Sequence, residues 1–162
     1  DLDLARDLYL KSIEYSDDPG PIMRKLLFVY IDMGDNQRAI DYANELLNKY
    51  PNDANLYYNV GVLYQRLAKD IQVRSKDNFN RLNEMDIPSG LLITQVYSDF
   101  RKVRNYANNA KDYFYEASDL EKDENLDTNH AISEMKSAMN QMDDIFIPSI
   151  RKIANSAGVE LD

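Results

Sequence analysis

The sequence predicts an all-α fold, an α-α superhelix of antiparallel helix pairs in which one helical hairpin is much longer than the rest. Apolar residues recur at helical spacing along most of the chain, and a pattern near residue 60 has an earlier copy 34 residues upstream. The 162 residues include only five Gly and five Pro, so few positions interrupt a helix. At 44% apolar and 29% charged residues, the composition is that of a folded domain.

The composition also narrows the classes of partner and chemistry. The formal charge of −9 disfavours nucleic acid, because phosphate backbones are bound by clustered Lys and Arg. No apolar run approaches the roughly 20 residues that span a bilayer, so no membrane insertion is expected. The chain has no Cys, no Gly-rich phosphate loop and no Gly-x-Ser-x-Gly motif, so we expect neither an enzyme nor a bound cofactor.

Residues 1–17 are predicted to form the second helix of a repeat whose first helix lies outside the sequence. Ala5 precedes Ala39 by 34 residues, and Leu8 precedes Tyr42 by the same interval. A Pro-Gly-Pro sequence then ends this helix, because Pro lacks the amide donor and disfavours helix in the residue before it.

Residues 20–53 are predicted to form a complete helix pair. Its helices are expected over residues 22–33 and 37–50, joined by a Gly-Asp-Asn turn. Pro51 closes the pair, and Asp53 is placed to cap the N-terminus of the next helix.

Residues 54–122 are predicted to form a second pair with an elongated hairpin, whose turn is signalled at residues 86–90. The apolar pattern of the first helix continues almost to this turn, with one polar gap near Arg74 and Ser75. On the second helix, apolar residues alternate by three and four as in an a/d heptad stripe, at Ile93, Val96, Phe100, Val103, Ala107, Ala110, Phe114 and Ala117.

The added length of this hairpin predicts an arm. About 18 extra residues in each helix, at about 1.5 Å per residue, would project it roughly 27 Å beyond the other helices. Residues 66–104 hold eight basic and five acidic side chains, although the whole chain is acidic. Such an arm would attract an acidic surface, either a partner's or that of another copy.

Residues 127–158 are predicted to form a degenerate repeat and a C-terminal capping helix. Apolar residues between 132 and 139 recur at the spacing of the earlier first helices. A last helix is expected over residues 149–157, with Pro148 at its start and Gly158 after its end.

The repeated pattern resembles the tetratricopeptide repeat. In the first-helix signature Trp-x-x-Leu-Gly-x-x-Tyr of that family, with Tyr in place of Trp, the marker places are filled by Tyr57, Val60, Gly61 and Tyr64. One period earlier, the same places hold Met23, Leu26, Leu27 and Tyr30. The resemblance covers residues 20–67 well and residues 1–17, 106–122 and 129–143 loosely, and it implies a close helix crossing at Gly61.

The resemblance implies an α-solenoid that acts as a non-enzymatic protein–protein interaction module or scaffold. Its concave helix face would bind a peptide or protein partner, and the elongated hairpin is a further candidate surface. By the family's geometry, the groove residues are Arg24, Lys25, Phe28, Asp32, Asn55, Tyr58, Asn59, Val62 and Gln65, extended by His130, Ser133, Glu134 and Ser137. The alternative for these residues is ordinary solvated surface. The elongated repeat is also similar to bacterial cell-envelope members of the family, which favours a periplasmic location.

Two narrower kinds of site are disfavoured. Asn59 stands where family members that grip chaperone C-terminal carboxylates carry Asn, but Phe28 replaces a second Asn and Glu134 would repel a carboxylate. His130 lacks partners at metal-ligand spacing. The Asp-x-Asp-x-Asp-Gly order of a calcium loop is absent from the acidic residues near it, which are Glu121, Asp123, Glu124 and Asp127.

Two other function classes stay open beside the interaction module. A structural module that self-associates as a homo-oligomer is the second reading, since a helix without its repeat partner would expose an apolar face. A small-ligand binder or enzyme is the third.

Overall fold

The computed structural model describes residues 1–121 and 125–162, and every regular element in these ranges is helical. The α-helices are α1 (Leu2–Glu14), α2 (Gly20–Asp32), α3 (Asn36–Lys49), α4 (Ala54–Asn83), α5 (Gly90–Leu120), α6 (Thr128–Gln141) and α7 (Ile147–Ser156), and a π-helical turn (Met142–Phe146) joins the last two. The predicted all-α class is therefore confirmed.

Local sequence signals fix most of the helix ends. The side chains of Asp35, Asp53 and Ser89 cap α3, α4 and α5, each accepting a hydrogen bond from the amide three residues later. Gly34 and Gly158 follow α2 and α7 with φ angles of 72° and 68°, a left-handed conformation that residues with a Cβ disfavour. The predicted cap at Asp53 is confirmed.

Helices α4 and α5 form the long hairpin that the heptad stripe predicts. They contain 30 and 31 residues and pack against each other along their length. The ring centroids of Tyr64 and Tyr106 lie 5.8 Å apart, as do those of Phe79 and Phe100, so the two helices are antiparallel. All eight stripe residues of α5 are fully buried.

Two apolar cores share α5. The first core surrounds Phe114 and contains residues of α2, α3, α4 and α6. The second core surrounds Phe100 and contains residues of α4, the π turn and α7. The C-terminal half of α5 therefore belongs to the first core, and the N-terminal half belongs to the second.

The C-terminal helices do not form the expected capping pair. Helix α6, the π turn and α7 follow one continuous helical path, because the residues at both junctions keep right-handed helical φ and ψ angles. Arg104 of α5 pairs with Asp143 at 2.6 Å, and Tyr97 of α5 bonds Arg151 at 2.8 Å. The residue numbers of α5 decrease between these two contacts, whereas those of the C-terminal path increase. The path therefore runs antiparallel to α5.

The hairpin is consequently not the free arm that its length predicts. The π turn and α7 pack against it, and the rings of Phe146 and Phe100 lie 4.9 Å apart. The prediction was wrong because Pro148 was read as the start of a separate helix. In the π turn, the Ile147 amide donates to the Met142 carbonyl, and this wider turn accommodates Pro148 without reversing the chain.

The polar gap in α4 lies opposite a buried carboxylate. Asp99 of α5 is 1% exposed, and its Oδ1 accepts a hydrogen bond from Gln95 Nε2 at 3.0 Å. Arg74 of α4 stands 3.7 Å from the Asp99 Oδ2. Ser75 is also fully buried and donates to the Ile71 carbonyl at 2.6 Å. The Arg74 side chain, which is 63% exposed, therefore approaches the buried Asp99 across the hairpin, and the Asp99 Oδ2 has no hydrogen-bond partner among the described residues.

Gly61 lies at a close approach between α4 and α5, as the repeat pattern implies. A Cβ atom on Gly61 would stand 2.6 Å from Cε1 and 2.7 Å from Cδ1 of the Phe114 ring. Phe114 is fully buried, so its ring has little room to move. The absence of a side chain at residue 61 thus permits the packing of the first core.

We expect Gly61→Ala to lower the free energy of unfolding by about 1 to 3 kcal/mol through overpacking, although Ala is the better helix former by about 1 kcal/mol. In a Phe114→Leu background, the same Gly61→Ala change should be neutral or stabilising, since the ring is gone. Urea unfolding of the four chains forms a double-mutant cycle. An unchanged midpoint for Gly61→Ala alone would contradict the packing described here.

Three tyrosines of the first core have raised pKa values. The pKa of Tyr42 is raised well above its ordinary value of 10.0, mainly by burial and next by the nearby Glu45 carboxylate. Burial also raises the pKa of Tyr64 and of Tyr113, whose rings stack at 5.5 Å. Within the described residues, the buried Tyr42 hydroxyl has no hydrogen-bond partner. Folding therefore favours the protonated form of these groups.

We expect stability to fall as the pH rises above 10. Below the unfolded-state value of 10.0, these hydroxyls are protonated in both states and contribute no pH dependence. Above it, the unfolded chain ionises while the folded chain retains its protons. Urea unfolding at about pH 8 and about pH 11 measures the loss, which Tyr42→Phe should reduce and Tyr15→Phe, at an exposed position, should not.

Candidate functional site

A groove lies between α4 and α6, with α5 beneath it, and has a volume of about 560 Å³. Its apolar floor is formed by buried residues from three helices, Ala68, Val103 and Met135. Its walls are polar side chains of α4 and α6, namely Gln65, Arg66, Lys69, Gln72, Lys76, Glu134, Ser137 and Gln141. We call these floor and wall residues, together with Val62 and Ala138, the α4–α6 groove.

Hydrogen bonds cross the groove near each end. Gln65 Nε2 donates to Glu134 Oε2 at 2.8 Å, and Lys76 Nζ donates to Gln141 Oε1 at 3.4 Å. The two bridging residues of α4 are separated by about 16 Å of helix, at about 1.5 Å per residue. Between them, Lys69 of α4 makes no side-chain hydrogen bond or ion pair to any described residue, which leaves its ammonium group available to a ligand.

The charge of the groove opposes that of the whole chain. Arg66, Lys69 and Lys76 line it, whereas Glu134 is its one carboxylate among the described residues. Arg66 pairs with Asp32 of α2 at 3.0 Å, so its charge is partly compensated. On a chain with a formal charge of −9, this local positive potential favours acidic groups of a ligand.

The structure brings only some of the predicted residues into this groove. Val62 and Gln65 line it, as do Glu134 and Ser137. Asp32 borders the groove through its ion pair with Arg66.

The other predicted residues lie outside this groove. Arg24 pairs with Asp53, the cap of α4, and so connects α2 to α4. Phe28 and Tyr58 are half-buried against the first core, and the Tyr58 ring lies 5.3 Å from that of Phe114. Exposed side chains outside the cavity are those of Lys25 and Asn55, and Asn59 is half-buried.

The groove residues that follow Gln65 along α4 were not predicted from the sequence. Lys69, Gln72 and Lys76 continue the spacing of Val62 and Gln65, by four, three and four residues. This second stripe of α4 faces α6, whereas the apolar stripe faces α5. This stripe is visible in the sequence. The tetratricopeptide pattern ends near residue 67, however, so the groove predicted from it was placed on α2 and on the part of α4 before that residue.

The described residues contain no group of three or more His, Cys, Asp or Glu side chains that could hold a metal ion. His130 is exposed, and its Nε2 lies 3.8 Å from Glu134. Of the acidic residues near it, Asp123 and Glu124 lie outside the described residues.

Comparisons with known proteins assign no function to the groove. Protein-family models, curated proteins and solved structures were each compared with the chain, and none matches it. Among the described helices, none is both long enough and apolar enough to cross a membrane.

Proposed function

We propose that this chain is a tetratricopeptide-like, non-enzymatic interaction module that binds an extended segment of a partner protein in the α4–α6 groove. The observation that supports this most directly is the groove itself, with an apolar floor, polar bridges at both ends and the free ammonium of Lys69 between them. Binding of an extended chain needs this combination, because apolar contact supplies affinity and polar groups fix the register.

The dimensions and charge of the groove define the class of ligand. A length of about 16 Å between the bridges accommodates about five residues of extended chain. Lys69 and Lys76 would pair with acidic side chains of that segment, and the floor at Ala68, Val103 and Met135 would take an apolar one. The proposed ligand is therefore an acidic, partly apolar peptide.

The helix order supports the resemblance to tetratricopeptide repeats. Helices α2 and α4 are the first helices of the two matching units, and they are joined by the ion pairs Arg24–Asp53 and Arg66–Asp32. Gly61 lies at the close approach to Phe114 that the family's small residue implies. The continuous path of α6, the π turn and α7 departs from the family, since it replaces a third helix pair.

We expect Lys69→Glu to weaken binding of groove ligands by about tenfold, because it places a carboxylate against an acidic segment. The ligands are peptides selected on the parent chain from a random displayed library and then synthesised. Isothermal titration measures their affinity for the parent and for Lys69→Glu. Lys11→Glu on α1 makes the same charge change at an exposed position far from the groove, and it should leave affinity unchanged.

Two outcomes would contradict the proposal. In one, selected peptides bind Lys69→Glu and Lys11→Glu equally well. In the other, the library yields no binder while light scattering shows that the chain is a stable oligomer. The second outcome would favour a structural module that self-associates.

A separate observation supports self-association, the second candidate function. Helix α1 packs Ala5, Tyr9 and Ile13 toward the first core, but its Leu4 and Leu8 are 57% and 56% exposed on another face. Successive exposed Leu side chains on one face of a helix are typical of an interface. This face is the surface through which copies of the chain would associate.

A further inference from the structure

The two ends of the α4–α6 groove carry charges of opposite sign. The hydrogen bond from Gln65 to Glu134 marks one end, and the hydrogen bond from Lys76 to Gln141 marks the other. Residue numbers increase along both helices between these bonds, so α4 and α6 run parallel beside the groove. Glu134 therefore lies at one end, Lys76 lies at the other, and Lys69 lies between them.

The carboxylate of Glu134 forms no ion pair with Lys or Arg among the described residues. Its side chain is 50% exposed, and the Gln65 side chain that donates to it is neutral. The His130 Nε2 lies 3.8 Å from Glu134 Oε1, beyond the length of a hydrogen bond. Arg66, beside Gln65 on α4, is already paired with Asp32. The negative charge at this end of the groove is therefore available to a ligand.

The two lysines also lack a carboxylate partner within the described part of the chain. Lys76 is held by neutral groups, since its Nζ donates to Gln141 and lies 5.1 Å from the centre of the Phe146 ring. At about 1.5 Å per residue, Lys69 lies about 6 Å along α4 from Gln65, and Lys76 lies about 16 Å from it. The groove thus presents one negative charge followed by two positive charges.

On the basis of the function proposed above, we infer that Glu134 selects ligands with a basic side chain at one end of the bound segment and acidic side chains toward the other. The basic side chain pairs with Glu134, and the acidic ones pair with Lys69 and Lys76. An extended chain advances about 3.3 Å per residue, so the acidic residues lie about two and about five positions from the basic one. The ligand is then an acidic peptide with a fixed order of charges.

This order of charges discriminates between peptides of the same composition. An acidic residue beside Glu134 would meet a like charge, and so would a basic residue beside Lys69. Because the groove is open to solvent, each charge pair is expected to change affinity by about threefold to tenfold. The charges therefore determine which peptide binds and in which direction, whereas the apolar floor supplies most of the affinity.

The test uses peptides selected on the parent chain from a random displayed library, as in the test of the groove itself. Their sequences should be enriched in Lys or Arg at about two to five positions from acidic residues. A second selection, on Glu134→Gln, should lose the enrichment of the basic residue and keep that of the acidic residues. The glutamine retains an acceptor for the Gln65 side chain and removes only the charge.

Glu14→Gln is the matched control, since it removes a carboxylate from an exposed position of α1 outside the groove. Its selected peptides should show the same order of charges as those of the parent. Isothermal titration then compares one selected peptide with an analogue in which glutamine replaces the basic residue. The replacement should weaken binding to the parent by about threefold to tenfold, and binding to Glu134→Gln by less than about twofold.

The outcomes separate the order of charges from the proposed function. Peptides that lose affinity for Lys69→Glu but carry no basic residue at a fixed spacing would overturn the role of Glu134 and leave the proposed function in place. Equal enrichment of basic residues on the parent and on Glu134→Gln would do the same. Peptides that bind Lys69→Glu as well as the parent, or the absence of any binder, would overturn both. The parent selection needs no variant, so it tests the order of charges even if Glu134→Gln does not fold.

Discussion

The burial of one apolar stripe along α5 is the interaction on which the rest of the structure depends. Its eight residues, spaced by three and four, are fully buried from Ile93 to Ala117. They contact α4 on one side and the C-terminal helical path on another, so a single helix belongs to both apolar cores. Replacing any large stripe residue would therefore affect a core that extends over several helices, as the contact of Phe114 with Gly61 illustrates.

The α4–α6 groove follows from this central helix. Because α4 and α6 pack on α5, Val103 forms part of the floor between them and polar side chains line the walls. Away from that groove, Tyr97 of α5 accepts a hydrogen bond from Arg151 of α7, and Tyr97 and Arg101 donate to the Asp162 main-chain oxygen. In this acidic chain the groove brings Lys69 and Lys76 beside apolar surface, and the interaction proposed there involves an acidic segment.

The sequence predicted the elements whose signals are local. The heptad stripe predicted the long hairpin, side-chain chemistry predicted the Asp53 cap, and the resemblance to the tetratricopeptide repeat implied the close approach at Gly61. The direction of the C-terminal path could not be predicted, because Pro148 fits both a helix start and a π turn. Within the groove, the resemblance to the tetratricopeptide repeat predicted Val62 and Gln65 but not Lys69. The reason is that α6 faces a part of α4 that lies beyond the repeat pattern. The burial of Asp99, one of the five acidic residues counted within residues 66–104, could not be predicted, because its position within the buried interface is a tertiary property.

The most direct test of this account is the distance between the hairpin turn and α7. The chain has no Cys, so Ile87→Cys with Lys152→Cys allows two spin labels at exposed positions without other changes. The neighbouring residues Asp86 and Pro88 share one cavity with Lys152, and packed helix axes lie about 10 Å apart. We predict a single narrow distribution below about 20 Å by electron paramagnetic resonance, given that helix spacing. A broad distribution centred beyond about 27 Å, the reach of a free arm, would contradict the account.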